Sequence, residues 1–160
     1  MDWILLALFV WSAMGAAVTG ALFPPDQWYR DLNKPAWTPP DWVFPITWTV
    51  LYACMALAAT RIAPLQDSAY AMAFWAVQIS FNGLWSPVFF GLKRIRSAMF
   101  VVAILWLSVL GGVLTMWPLD PIASLLFVPY LIWVTIASAL NASVWMRNPD
   151  EAAAASLGRQ

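Results

Sequence analysis

The chain reads as an all-α integral membrane protein, a bundle of five transmembrane helices with a structured Pro/Trp-rich loop between the first and second. Three observations predict this. Sixty-two per cent of the 160 residues are apolar or aromatic, against ~45–50% in a soluble domain. Only 10% are charged, against ~25%, and a chain this short has too little interior to hide the excess apolar surface. Finally, the charges cluster and leave five uncharged runs between them.

Those runs are Trp3–Pro25, Trp42–Thr60, Ser68–Leu92, Ser97–Leu119 and Pro121–Met146, of 23, 19, 25, 23 and 26 residues. Crossing a hydrocarbon layer of ~30 Å takes ~20 helical residues at 1.5 Å each. Strands would instead alternate over ~10 residues. The expected spans are residues 3–23, 43–61, 68–92, 97–118 and 121–146, followed by a tail over 148–160 that frays. The first run is too long for a signal-peptide core and follows Asp2 rather than a basic cluster, so it reads as a retained span. Pro87 and Pro129 fall inside the third and fifth runs and are expected to kink or end those helices.

Lys and Arg counting sets the orientation. Loop one, loop three and the tail hold Arg30, Lys34, Lys93, Arg94, Arg96, Arg147 and Arg159; the opposite side holds only Arg61. Loop one, loop three and the C-terminus are therefore expected in the cytosol, with the N-terminus outside. Eight basic and eight acidic residues cancel, so no net field attracts nucleic acid. With no His, one Cys and one Glu, His-ligated metal sites, Ser-His-Asp chemistry and paired-Cys redox chemistry are excluded.

Loop one is unusual. Pro24, Pro25, Pro35, Pro39, Pro40 and Pro45 share it with Trp28, Tyr29, Trp37 and Trp42. Proline lowers the entropy lost on ordering, and aromatics give the segment something to bury. Two readings are open: an aromatic belt at headgroup depth, or a lid packed on the bundle, which the prolines favour.

Three faces inside the bundle are aromatic. Phe44, Trp48 and Tyr52 recur every fourth residue on the second span. Gln78, Asn82, Trp85 and Phe89 share a face of the third, and Trp133, Ala137, Leu140 and Asn141 a face of the fifth. An amide in hydrocarbon is costly unless it faces the interior, a partner or a ligand. The three faces lie at similar depth, toward the loop-one side. Each alone is ordinary interhelical packing; together they point to a cavity for a flat, largely apolar ligand, with no buried acid, base or metal. Photochemistry on a bound chromophore stays open, because indole can give up an electron. Small-residue pairs such as Ala13/Ala17, Ser12/Ala16/Gly20, Ala69/Ala73 and Ala76/Ser80 allow close helix approach, and the third span offers such a face for a homodimer.

From Trp28 onward the chain reads Trp28-Tyr29-x-x-Leu32-x-Lys34-Pro35-x-Trp37-x-Pro39-Pro40-x-Trp42-x-Phe44-Pro45-x-x-Trp48-Thr49-x-Leu51-Tyr52. Further on come Gln78-x-x-x-Asn82-x-x-Trp85-x-Pro87-x-Phe89-Phe90-Gly91, Pro129-Tyr130-Leu131-x-Trp133 and Leu140-Asn141. In these motifs the chain strongly resembles the tryptophan-rich sensory protein/translocator protein family, once called the peripheral benzodiazepine receptor, and in particular its bacterial members. The resemblance implies a five-helix bundle of the bacterial cell envelope, often dimeric. It needs no obligatory cofactor and binds porphyrins such as protoporphyrin IX and haem, sterols or synthetic benzodiazepine-site ligands. It implies roles in tetrapyrrole regulation and stress responses. The positions matching the family's ligand pocket are Trp37, Phe44, Trp48, Tyr52, Asn82, Phe89, Trp133, Ala137, Leu140 and Asn141. Trp48 and Trp133 match the tryptophans tied to light-dependent porphyrin breakdown, so they are the candidates for any catalytic role. Two departures stand out. The sterol pattern's Tyr is missing from Leu140–Arg147, where Trp145 is the aromatic, and Ser97 stands where animal relatives have a pocket Trp.

Overall fold

A computed structural model describes residues 2–154, and its elements among these are helical. Seven α-helices follow in order: α1 (Trp3–Leu22), α2 (Gln27–Asp31), α3 (Val43–Ile62), α4 (Ala69–Ser86), α5 (Ile95–Met116), α6 (Pro121–Arg147) and α7 (Pro149–Ala154). A wider π-turn, Pro87–Gly91, extends α4. The long helices α1, α3, α5 and α6 are each long and apolar enough to cross a membrane. The long helix α4 is more polar, because Gln78, Ser80, Asn82 and Ser86 interrupt its apolar residues.

Charges mark where helices begin. The Asp2 carboxylate accepts from the Ile4 and Leu5 amides at 2.9 and 3.1 Å. Asp120 does the same for Ile122 and Ala123 at 2.9 and 3.2 Å, with Pro121 filling the first helical position. Each carboxylate satisfies amides that have no partner inside the helix. Asp120 also takes an ion pair from Arg61 at 2.7 Å, which joins the end of α3 to the start of α6.

The helices close into a ring in the order α1, α4, α5, α6, α3, and α3 returns to α1. α1 and α4 approach closely because small residues meet. A β-carbon on Gly83 would lie 3.6 Å from the Ala16 backbone, the geometry expected of a Ser12/Ala16/Gly20 stripe. Ala69, Ala73, Ala76 and Ser80 instead face outward. The larger core gathers Met55, Ala59, Ile62, Val109, Met116, Phe127 and Tyr130, all at or near zero exposure. A second, smaller core of Tyr29, Leu32, Val88, Phe89, Ile95, Ala98, Val101 and Val144 lies beneath loop one.

Several boundaries differ from expectation. The fourth span begins at Ile95 and ends at Met116, rather than running 97–118. Its first turn is drawn inward because Ile95 and Ala98 are buried in the second core. The chain keeps turning, but the α-helical part of α4 ends, as expected, at Pro87. It lacks the amide that would bond one turn back, so the chain widens and Leu92 bonds to the Pro87 carbonyl at 2.8 Å. α6 runs past Pro129 to Arg147 without a break. The expected fraying of the tail gives way to helix α7 over 149–154, in which Ala152 is buried; residues 155–160 lie outside the described residues.

Loop one is an ordered strap. Asp26 caps the short helix α2 through the Tyr29 amide at 3.2 Å. It also pairs with Lys93 at 2.8 Å, and that hydrogen-bonded ammonium holds its carboxyl below the ordinary 3.8. Lys34 closes the other end of α2, donating to the Tyr29, Arg30 and Leu32 carbonyls at 2.6, 2.9 and 3.2 Å, where a cation suits the exposed carbonyls. Tyr29 packs edge-on against Phe89 and Phe90.

The far side of the strap is pinned to the C-terminal region. Asn148 accepts from the Asn33 amide at 2.9 Å and donates to its carbonyl at 3.1 Å. Trp28 donates its indole N–H to Glu151 at 3.2 Å. Replacing Asn148 with Ala removes both bonds to Asn33, a loss of about 1–2 kcal/mol for exposed hydrogen bonds. Hydrogen exchange across residues 27–42 is expected to accelerate severalfold in Asn148→Ala, while exchange in α5 is unchanged.

Candidate functional site

One cavity of about 550 Å³ opens between the helices under loop one, within the ~300–1,000 Å³ range typical of small-molecule sites. α3 contributes Phe44, Pro45, Trp48, Thr49 and Tyr52 from its loop-one half. α4 and its π-turn supply Asn82, Trp85, Ser86, Phe89 and Phe90, and α6 supplies Trp133, Ala137, Leu140 and Asn141. The α1 wall is Ala16, Ala17, Gly20 and Ala21, while Phe23, Pro25, Tyr29, Pro39 and Asp41 enclose the loop-one side.

The aromatic rings brace one another. Trp48 stacks on Tyr52 with centroids 5.4 Å apart and planes at 29°, and stands edge-on to Tyr130 at 6.0 Å. Trp85 stacks on Phe89 at 4.9 Å and 16°. Trp133 meets Phe44 edge-on at 5.6 Å, which bridges α6 to α3. Offset and edge-on pairs are the arrangements that the ring quadrupole favours.

Polar groups in the wall are answered from inside the bundle. The Tyr52 hydroxyl donates to the Asn82 side-chain carbonyl at 2.9 Å, and the Asn82 amide donates to the Tyr130 oxygen at 3.0 Å. Asn82 thereby links α3, α4 and α6. Asn141 accepts from the Trp85 indole at 3.3 Å and donates to the Ile95 carbonyl at 3.1 Å. Gln78 differs: it is fully buried, outside the cavity lining, and neither side-chain polar atom has a partner among the described residues. It lies a turn deeper than Asn82, toward the larger core.

Of the ten residues singled out from sequence, nine line the cavity: Phe44, Trp48, Tyr52, Asn82, Phe89, Trp133, Ala137, Leu140 and Asn141. Trp37 does not. It is 52% exposed and absent from the lining, because the turn after Pro35 carries its ring away from the bundle. Sequence reasoning missed the α1 wall, Tyr29 and Asp41. The α1 stripe was readable as small residues, but only as a helix contact; the same missing side chains leave the void. The chemistry available is stacking and orientation by neutral donors and acceptors, with Asp41 the one charged lining residue among those described.

Comparison with known proteins agrees with this architecture. The profile of the TspO/MBR family matches residues 3–146. The tryptophan-rich sensory protein of Cereibacter sphaeroides is 52% identical over 141 residues, covering 88% of this chain and 89% of that protein. Protein CrtK of Rhodobacter capsulatus is 46% identical over 155 residues, covering 94% and 97%. The translocator protein of Sus scrofa is 32% identical over 128 residues, covering 76% and 75%. A membrane protein with apolar helices packed around an aromatic cavity, matched along nearly its whole length, this chain belongs to the TspO/MBR family.

Proposed function

We propose that the protein is a membrane receptor, acting in transport and sensing, that binds porphyrins such as protoporphyrin IX or haem and so regulates tetrapyrrole metabolism or a stress response. The observation that carries this reading is the aromatic cavity under loop one, in which Trp48, Trp85 and Trp133 from three helices border one apolar space. A tetrapyrrole presents wide π-faces and a largely apolar rim, and indoles answer both by stacking and by N–H donation. Trp48→Ala and Trp133→Ala each remove one such surface. Saturable quenching of Trp fluorescence by protoporphyrin IX is expected to weaken at least about tenfold in each, ~1.4 kcal/mol. Unchanged affinity in both variants overturns the assignment.

In this reading α4 with its π-turn joins the four more apolar helices as a further span, the third along the chain, and brings the number to five. Residues 69–91 cover the bilayer, and the amides of α4 face inward, where Asn82 finds its partners. The protein sits in the bacterial cell envelope with loop one and the C-terminus cytosolic and the N-terminus outside, as Lys and Arg counting requires. It needs no obligatory cofactor; the porphyrin is a ligand.

A second reading is light-dependent porphyrin breakdown, favoured by both Trp48 and Trp133 bordering the cavity. There the two indoles donate electrons to the excited ligand. Phe at both positions keeps the aromatic area but oxidises at higher potential. Illuminated porphyrin loss is expected to fall at least about tenfold in the Trp48→Phe/Trp133→Phe double variant if this reading holds, and persistence at the original rate excludes it.

The outward face of α4 supports a homodimer. Tyr70, Val77 and Leu84 are 77%, 40% and 45% exposed there, with Ala73 and Ala76 between them. Small residues let two such faces approach closely. Replacing Ala73 and Ala76 with Leu is expected to shift the protein from dimer to monomer in light scattering from micelles, with porphyrin affinity retained.

A further inference from the structure

Six polar side chains are buried in the described bundle: Thr60, Gln78, Asn82, Ser108, Ser124 and Asn141. Five of them have partners. Thr60, Ser108 and Ser124 donate to the Ala56, Ile104 and Val113 carbonyls, Asn82 donates to Tyr130, and Asn141 to the Ile95 carbonyl. Gln78 stands apart, with 0% exposure and neither amide atom bonded among the described residues. The indole of Trp75, three residues back, is spent on the Met55 carbonyl at 3.2 Å.

A second group in this region is also left with a bond to make. An amide oxygen only accepts and an amide nitrogen only donates, so the bonds through Asn82 run one way, from Tyr52 to Asn82 to Tyr130. The fully buried Tyr130 receives the last of them, and its own hydroxyl hydrogen meets no acceptor among the described residues. Gln78 precedes Asn82 by four residues, on the same face and one turn of ~5.4 Å away. Two hydrogen bonds through one intervening atom span a similar ~5–6 Å. Buried water is held by about three bonds, and three are on offer. Tyr130 has a hydroxyl hydrogen to give, and the Gln78 amide presents an N–H beside a carbonyl oxygen, which a single water bridges as acceptor and donor.

We propose that Gln78 and Tyr130 together hold one buried water molecule. That water is the terminal acceptor of the donor chain that starts at the Tyr52 hydroxyl in the cavity wall. The occupant is water rather than an ion, because no charged side chain is buried in the described bundle to hold one. It is not an apolar guest, because beside one the amide keeps its full desolvation cost. Gln78 lies outside the cavity lining, so the site is independent of what the cavity binds.

The test uses the full chain. Crystals of the wild type from lipidic mesophase, at a resolution that shows ordered water, are expected to carry one density peak within hydrogen-bond distance of both the Gln78 amide and the Tyr130 hydroxyl. Thermal unfolding in detergent is the second measurement. Gln78→Met keeps the volume but leaves Tyr130 without an acceptor, so the midpoint is expected to fall by about 3–6 °C. Tyr130→Phe lowers it as well, and the double variant is expected to lose less than the sum of the two. A wild-type amide that is dry, or bonded directly to protein, overturns the proposal. An unchanged or raised midpoint in Gln78→Met, or additive losses in the double variant, does the same. Where Gln78→Met fails to fold, the wild-type density decides.

Discussion

A side-chain amide in hydrocarbon must find its partners inside the protein, and Asn82 is where this bundle meets that demand. One carboxamide accepts from Tyr52 on α3 and donates to Tyr130 on α6. Three helices are thereby held at fixed spacing around a point from which the cavity opens. Without lipid-excluding polar links of this kind, helices in a membrane are ordered mainly by van der Waals fit, which specifies rotation weakly. The Asn141 link, from the Trp85 indole to the Ile95 carbonyl, repeats the device nearer loop one. Together they turn what would be sliding greasy rods into walls with a set separation.

The same economy explains why the space does not collapse. Filling it would require rings to leave their stacked or edge-on neighbours and amides to lose their bonds. On the α1 side there is little to fill it with, since Ala16, Ala17, Gly20 and Ala21 have almost no side chain. The void is maintained by large residues tied to each other on three sides and small ones on the fourth. Gln78 shows the opposite case, a fully buried amide with no partner among the described residues; it sits beyond the cavity lining, one turn from Asn82.

Much of this was legible in the sequence, for identifiable reasons. Charged residues are expelled from hydrocarbon, so uncharged runs outlined the long helices, and Asp2 and Asp120 stand at the boundaries because carboxylates also cap helix starts. Residues recurring every three or four positions gave the α3, α4 and α6 faces of the cavity. Three things escaped. Trp37 was grouped with the lining because an aromatic in a motif says nothing about which way the chain turns after Pro35. The α1 wall has no positive signature, since what it contributes is missing bulk. The start of α5 depends on burial of Ile95 under loop one, a tertiary contact that the nearby Arg94 and Arg96 conceal.

The strap over the cavity carries a temporal consequence. Its polar fastenings reach Lys93, just past the π-turn that follows α4, and Asn148 and Glu151 beyond the end of α6, none of which borders the cavity. In the porphyrin reading proposed above, a ligand that left through this roof would wait on clasps that never touch it, so dwell time and intrinsic affinity would be set by different residues. Under that proposal, changes in the last turns of the chain would lengthen or shorten the stay while the lining of the indole chamber remained as it is.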